Sequence, residues 1–184
     1  RMDAGDRHRE NRLAIQYERL KSSDSLTMVG SNAVYFSEDT GEEIFTTDLP
    51  LNSSEIRKWS VFRTCFIHPA VMIRLDRMDD SFHYESRYLH IEDYVLFSKI
   101  AEHYETENLP EPLIECLVRE SGISLSNDRA QLLSGLRHHI EHPQLHKPLW
   151  YAYIIKRAVY LILPYSLRTR IKKRLGFVRP PELS

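Results

Sequence analysis

The sequence predicts an α/β fold, a mixed sheet flanked by helices, and three observations carry that expectation. Segments with apolar residues at helical spacing alternate along the chain with short β-branched runs. Pro and Gly residues punctuate the joints between them. A chain of 184 residues, 42% hydrophobic and 28% charged, has the composition of a folded domain with a core rather than a disordered or fibrous chain.

The elements follow in order. Residues 11–21 place Leu13, Gln16, Tyr17 and Leu20 at i, i+3, i+4 and i+7, which predicts a helix with that face inward. Residues 26–30 and 33–36 read as two short strands joined by a tight link at Ser31-Asn32. Asp39-Thr40-Gly41 is a turn, and residues 43–46 are the return strand of a hairpin. Ser53 or Ser54 caps a short helix ending at Trp59. Residues 71–75 read as a buried strand by their β-branched content. Residues 92–103 carry the clearest helical pattern, with Val95, Leu96, Phe97, Ile100 and Ala101 on the apolar side. Leu109-Pro110-Glu111-Pro112 stops any helix ahead of a strand at 113–119. Residues 127–141 are helical again, capped by Ser126 or Asn127. Cys65 and Cys116 lie far apart in apolar stretches and read as buried free thiols of a reducing compartment.

A net charge of −1 conceals a division. Residues 142–184 hold nine Lys and Arg against one acid, Glu182, and residues 1–141 hold the excess of acids. The expected organisation is therefore an acidic body, 1–141, and a basic helical tail, 142–184. The run from Trp150 to Leu163 is aromatic and aliphatic but interrupted by Lys156-Arg157, and it is too short to span a bilayer. Residues 166–176 then interleave Arg168, Arg170, Lys172, Lys173 and Arg174 with Leu167, Ile171 and Leu175. This pattern suits an amphipathic helix on an anionic membrane surface; helices packed on the domain with basic outer faces are the alternative. No nucleic-acid-binding module accompanies the charge, so nucleic acid is not an expected partner. The charged opening, residues 1–12, is not a signal peptide.

Three polar islands border apolar elements. Met2-Asp3-Ala4-Gly5-Asp6 offers two carboxylates around a glycine, suited to a hard divalent cation and equally to a solvated turn. Ile67-His68-Pro69-Ala70-Val71-Met72 fixes an imidazole at the lip of a strand, because Pro69 favours an extended His68. Tyr88-Leu-His-Ile-Glu92-Asp93 sets an acidic pair at the mouth of the 92–103 helix, where unpaired backbone N–H groups favour negative charge. Weaker candidates are Arg63 and Arg119, which read as surface partners of the acids. His138, His139, His142 and His146 fit no zinc spacing and read as helix surface and turn. Asp76, Asp79 and Asp80 read as a solvated loop.

The order and spacing of these islands over residues 1–126 resemble the second half of a family 2 glycosyltransferase. The resemblance implies a Rossmann-like GT-A fold and an inverting, metal-dependent transferase. It would move a sugar from a nucleotide-sugar donor to a glycan or lipid-linked acceptor of surface polysaccharide. It assigns the catalytic base to Asp93 and a supporting role to Glu92. His68 falls on the acceptor side, and Asp3 with Asp6 at the Mn²⁺ or Mg²⁺ site. The family pattern has a second carboxylate two residues after the first, where this chain has Gly5. In that family a nucleotide-binding half precedes this region, so the resemblance implies a fragment or a protein without that half. It also implies a cytoplasmic location, peripheral at the inner membrane face. Two other readings remain: a non-catalytic interaction protein on a degenerate transferase fold, and a metal-dependent hydrolase using Asp3, Asp6 and His68.

Overall fold

A computed structural model describes residues 5–118, 128–164 and Leu167. Five strands and five helices stand among them: β1 (Arg7–His8), α1 (Arg12–Lys21), β2 (Leu26–Ser37), β3 (Glu43–Thr46), α2 (Ser53–Trp59), β4 (Met72–Ile73), α3 (Glu92–His103), β5 (Glu105–Val118), α4 (Asp128–Glu141) and α5 (Pro148–Ile162). The strands form one mixed sheet in the order β1-β5-β2-β3, with β4 also paired to β2. β2 and β5 run parallel, and the other pairings are antiparallel. The α/β class and the 43–46 hairpin strand are as the alternation predicts.

The sheet is buried on both faces, which follows from the pleat of β2. Successive strand residues point to opposite sides. Met28 therefore joins Ile56 of α2 and Leu96, Phe97 and Ile100 of α3 in one apolar cluster. Its neighbour Val29 joins Leu20 of α1 and Leu26 in another. Ala33, Ala70, Ile114 and Cys116 form a third cluster towards the other end of β2. Cys65 and Cys116 are both free and buried. The apolar residues expected on α3 are all buried.

Four local expectations are corrected. The first is the break at Ser31-Asn32: β2 runs unbroken for 12 residues, and β5 begins at Glu105, not 113. Pro110 and Pro112 lack N–H donors, so the β2–β5 ladder shifts register on either side of Asn32. The Asn32 side chain bridges the irregular stretch. Its amide donates to Pro110 O at 2.9 Å, and its carbonyl accepts from Leu49 N and Thr47 Oγ1, each at 3.0 Å.

The second correction is the face of α1. Gln16 and Leu20 are buried as expected, but Leu13 and Tyr17 are exposed and Arg12 is buried instead. Polar side chains occupy the inner face because each finds a partner there. Arg12 Nε donates to Gln16 Oε1, and Gln16 Nε2 donates to Val29 O and Ala70 O. Burial lowers the pKa of the Arg12 guanidinium.

The third is 71–75, where β4 spans only Met72–Ile73 and Leu75 is exposed. Short 3-10 turns at His68–Ala70 and Leu75–Arg77 close it on both sides. The fourth is the cap of α2, which is Asn52, whose side chain accepts from Glu55 N. The proposed caps Ser126 and Asn127 lie outside the described residues. Among those residues no helix is long and apolar enough to cross a membrane.

Candidate functional site

Two of the three islands meet in space. The His68–Ala70 turn is closed by Ala70 N donating to Ile67 O and is held to α1 by Gln16. His68 thus opens a turn, and the extended residue before it is Ile67. This differs from the extended His68 expected ahead of Pro69, because the turn's own bonds fix the local backbone. His68 Nδ1 lies 3.8 Å from Asp93 Oδ2, in the first turn of α3. On its other nitrogen, Nε2 is 2.9 Å from the Tyr84 hydroxyl. The edge of Phe97 packs on the ring at 5.6 Å between centroids. An imidazole bonded on one side and facing a carboxylate on the other has a fixed orientation.

Asp93 is partly open, its side chain 35% exposed, so a solute can reach the carboxylate. Its Oδ1 accepts from Tyr94 N at 2.8 Å, leaving Oδ2 on the His68 side. Glu92 is half-buried beside it in the same first turn.

The opening island is tied to the sheet at β5. Asp6 Oδ1 accepts from Leu117 N at 3.2 Å, which ties its loop to β5 beside the β1 pairing. The Tyr35 phenol has a raised pKa, first from burial, then from Cys116 and Asp6, with Asp93 adding to it. The Tyr35 ring is held by stacking on Phe45 at 4.5 Å. Asp3 and Arg119 lie outside the described residues. Among those described, no three His, Cys, Asp or Glu side chains gather in a way that could hold a metal ion.

Other sequence candidates resolve separately. Asp76 pairs with Arg74 at 3.0 Å and Asp79 accepts from Ser81 N, as a solvated loop would. Arg63 lies over the Trp59 ring at 5.6 Å rather than pairing with an acid.

The histidines of α4 are not the surface that the sequence suggested. His139 is 4% exposed; its ring nitrogens face Gly135 O at 3.0 Å and Val61 O at 2.9 Å. It stacks on Tyr153 of α5 at 3.6 Å. Burial, chiefly, lowers the pKa of His139 to about 4 and of His138 to about 3. A cavity of about 250 Å³ opens beside them, lined by Arg57, Lys99, Glu102, His138, His142 and Lys147 among others. Neither His68 nor Asp93 lines it. The reachable Asp93 carboxylate, paired with His68, thus lies apart from this cavity.

Sequence reading missed Tyr84 and Tyr35. No local signal marks either; Tyr84 sits in a polar loop and Tyr35 in a strand pattern. Their roles come from tertiary placement alone.

No family model and no curated protein matches this chain.

Proposed function

We propose that the chain is the acceptor-side, catalytic part of an inverting glycosyltransferase on a Rossmann-like GT-A fold, similar to family 2. The observation that carries the proposal is the 3.8 Å approach of His68 to Asp93 from separate elements. The approach supports the reading because the second and third islands, ordered along the chain, are also adjacent in space.

Asp93 acts as general base. Its carboxylate takes the proton of an acceptor hydroxyl as that oxygen attacks the anomeric carbon from the side opposite the diphosphate. A C–O bond forms, the bond to the diphosphate breaks, and the nucleoside diphosphate leaves with inversion. His68, oriented by Tyr84, positions the acceptor, and Glu92 shapes the same edge of the cleft. Asp6 supplies a hard carboxylate oxygen, the donor class that Mn²⁺ and Mg²⁺ take, so the residue fits the metal role. With Asp3 it would hold the ion, whose charge offsets that of the departing diphosphate. The acceptor is a glycan or a lipid-linked glycan, and the protein works at the cytoplasmic membrane face, held there by its basic C-terminal segment.

The test is Asp93→Asn in the full-length protein. It keeps size and polarity but removes the proton acceptor, so turnover falls by about two to four orders of magnitude. Nucleoside-diphosphate binding, read by calorimetry, stays within about twofold of wild type. Near-normal transfer by the variant refutes the base assignment. Binding without turnover in wild type would favour a non-catalytic interaction protein.

A further inference from the structure

The helix α5 has its charges on the wrong side for an ordinary surface helix. Its only two charged residues, Lys156 and Arg157, turn towards the body. Lys156 Nζ donates to Phe62 O at 2.9 Å and lies 3.7 Å over the Phe62 ring. The Arg157 guanidinium lies 4.9 Å over the Tyr153 ring. Tyr153 is itself buried against His139, and the Trp150 indole donates to His139 O. Trp150, Tyr153, Lys156 and Arg157, which sequence alone would offer to lipid, are engaged with protein here.

The opposite face carries Tyr151, Ile155, Val159 and Ile162, exposed at 48%, 64%, 45% and 85%. Their spacing of four, four and three residues forms one stripe, about 16 Å long at the helical rise. The exposed positions between its ends, Ala152 and Ala158 included, carry no charge. A surface helix in water normally turns its polar face outward. Beyond the stripe, residues 165–184 carry Arg168, Arg170, Lys172, Lys173, Arg174 and Arg179 against Glu182 alone.

We propose that the outward stripe of α5 is a docking surface for an anionic lipid bilayer. It rests on the peripheral-membrane part of the proposed function and gives that contact its apolar half. The stripe lies shallowly at the boundary of headgroups and acyl chains, and the cations that follow meet the anionic headgroups. Shallow apolar burial and electrostatic attraction are each weak alone and hold together. Charge argues against a second copy as the occupant. A second copy carries the same net-basic 165–184 sequence and so offers it no charge complement, whereas an anionic bilayer does.

Flotation of the 184-residue chain on vesicles of phosphatidylcholine and phosphatidylglycerol in equal parts tests the proposal, with pure phosphatidylcholine as the neutral arm. Wild type floats with the anionic vesicles. Ile155→Ser with Ile162→Ser lowers partitioning at least about tenfold, because several buried methylene equivalents are lost. Both residues are exposed, so the fold and the Trp150 emission are unchanged. Lys172→Glu, Lys173→Glu and Arg174→Glu together abolish most of the salt sensitivity. An environment-sensitive fluorophore on Ile155→Cys shifts to the blue on anionic vesicles, and one on Thr40→Cys does not.

Equal flotation of wild type and the stripe variant, with no shift at position 155, overturns the stripe while leaving the membrane reading to the basic segment. Failure of wild type to float overturns both. A concentration-dependent dimer, lost in the stripe variant, assigns the face to a second copy and overturns the lipid proposal.

Discussion

Replacing His139 with glutamine removes a titrating group from the joint between α3, α4 and α5, and the structure sets both the sign and the size of the effect. Opposing influences act on the ring. Two carbonyls, Val61 O and Gly135 O, favour its protonated form. Burial disfavours it more strongly, and Arg157 and Lys156 add repulsion from α5. The balance puts the folded pKa near about 4, against about 6.5 in the unfolded chain. A depressed pKa gives stability that is complete above the unfolded value and is lost as pH falls towards the folded one. At about pH 5 the loss from His139 alone is about 2 kcal/mol. His138, which faces His139, His142, Glu141 and Arg87, moves in the same direction but is present in both proteins. The assay is urea unfolding between about pH 7 and about pH 4.5, followed by Trp150 emission because that indole bonds His139 O. Wild type should lose stability more steeply than His139→Gln, by up to about 1.4 kcal/mol per pH unit. Equal slopes would show that the two carbonyls balance burial, and a steeper loss in the variant that they outweigh it.

Two further outcomes follow from close contacts. At Gly30, an added Cβ would fall inside contact distance of Asn108 Oδ1 and 2.9 Å from Phe66 Cδ1. Asn108 is already fixed by bonds to Pro50 O and Cys65 O, so Gly30→Ala should cost about 1–3 kcal/mol in urea unfolding; an unchanged midpoint would mean that Asn108 yields freely. Tyr84→Phe removes the hydroxyl that orients His68, at an exposed site where stability changes by no more than about 0.5 kcal/mol. Steady-state kinetics should then show a raised acceptor KM with kcat nearly kept, and a loss confined to kcat would give His68 a part in the chemical step.

What the sequence reveals here depends on whether local pattern or distant partners decide a residue's place. The helix α3 is legible because its apolar face and acidic first turn agree with each other. The strand β3 is legible because Asp39-Thr40-Gly41 supplies the turn before it. The inner face of α1 is not, since Arg12 and Gln16 are buried only by virtue of acceptors on β2 and the His68 turn. The length of β5 is hidden by Pro110 and Pro112, which argue against a strand until Asn32 bonds the Pro110 carbonyl across the register shift. His139 reads as a helix-surface residue until Val61 and Tyr153 close over it. For the site, the residue types were legible, but the approach of His68 to Asp93 was not. It depends on how the turn before β4 packs beneath the first turn of α3.

The parallel partnership of β2 and β5 also governs when the site comes into being during folding. The Asn32–Pro110 bond closes 78 residues of chain, and the Leu117–Asp6 bond closes 111. Closures of that length carry a large entropic cost before any contact rewards them, and such topologies fold slowly. The hairpin of β2 and β3 and the helix α3 rely on near neighbours and can precede them. Asp6 accepts from Leu117 N of β5, so that bond forms when the central strand docks. On refolding, the Asp93 helix would form early, and the complete constellation would arrive with the last long-range pairing.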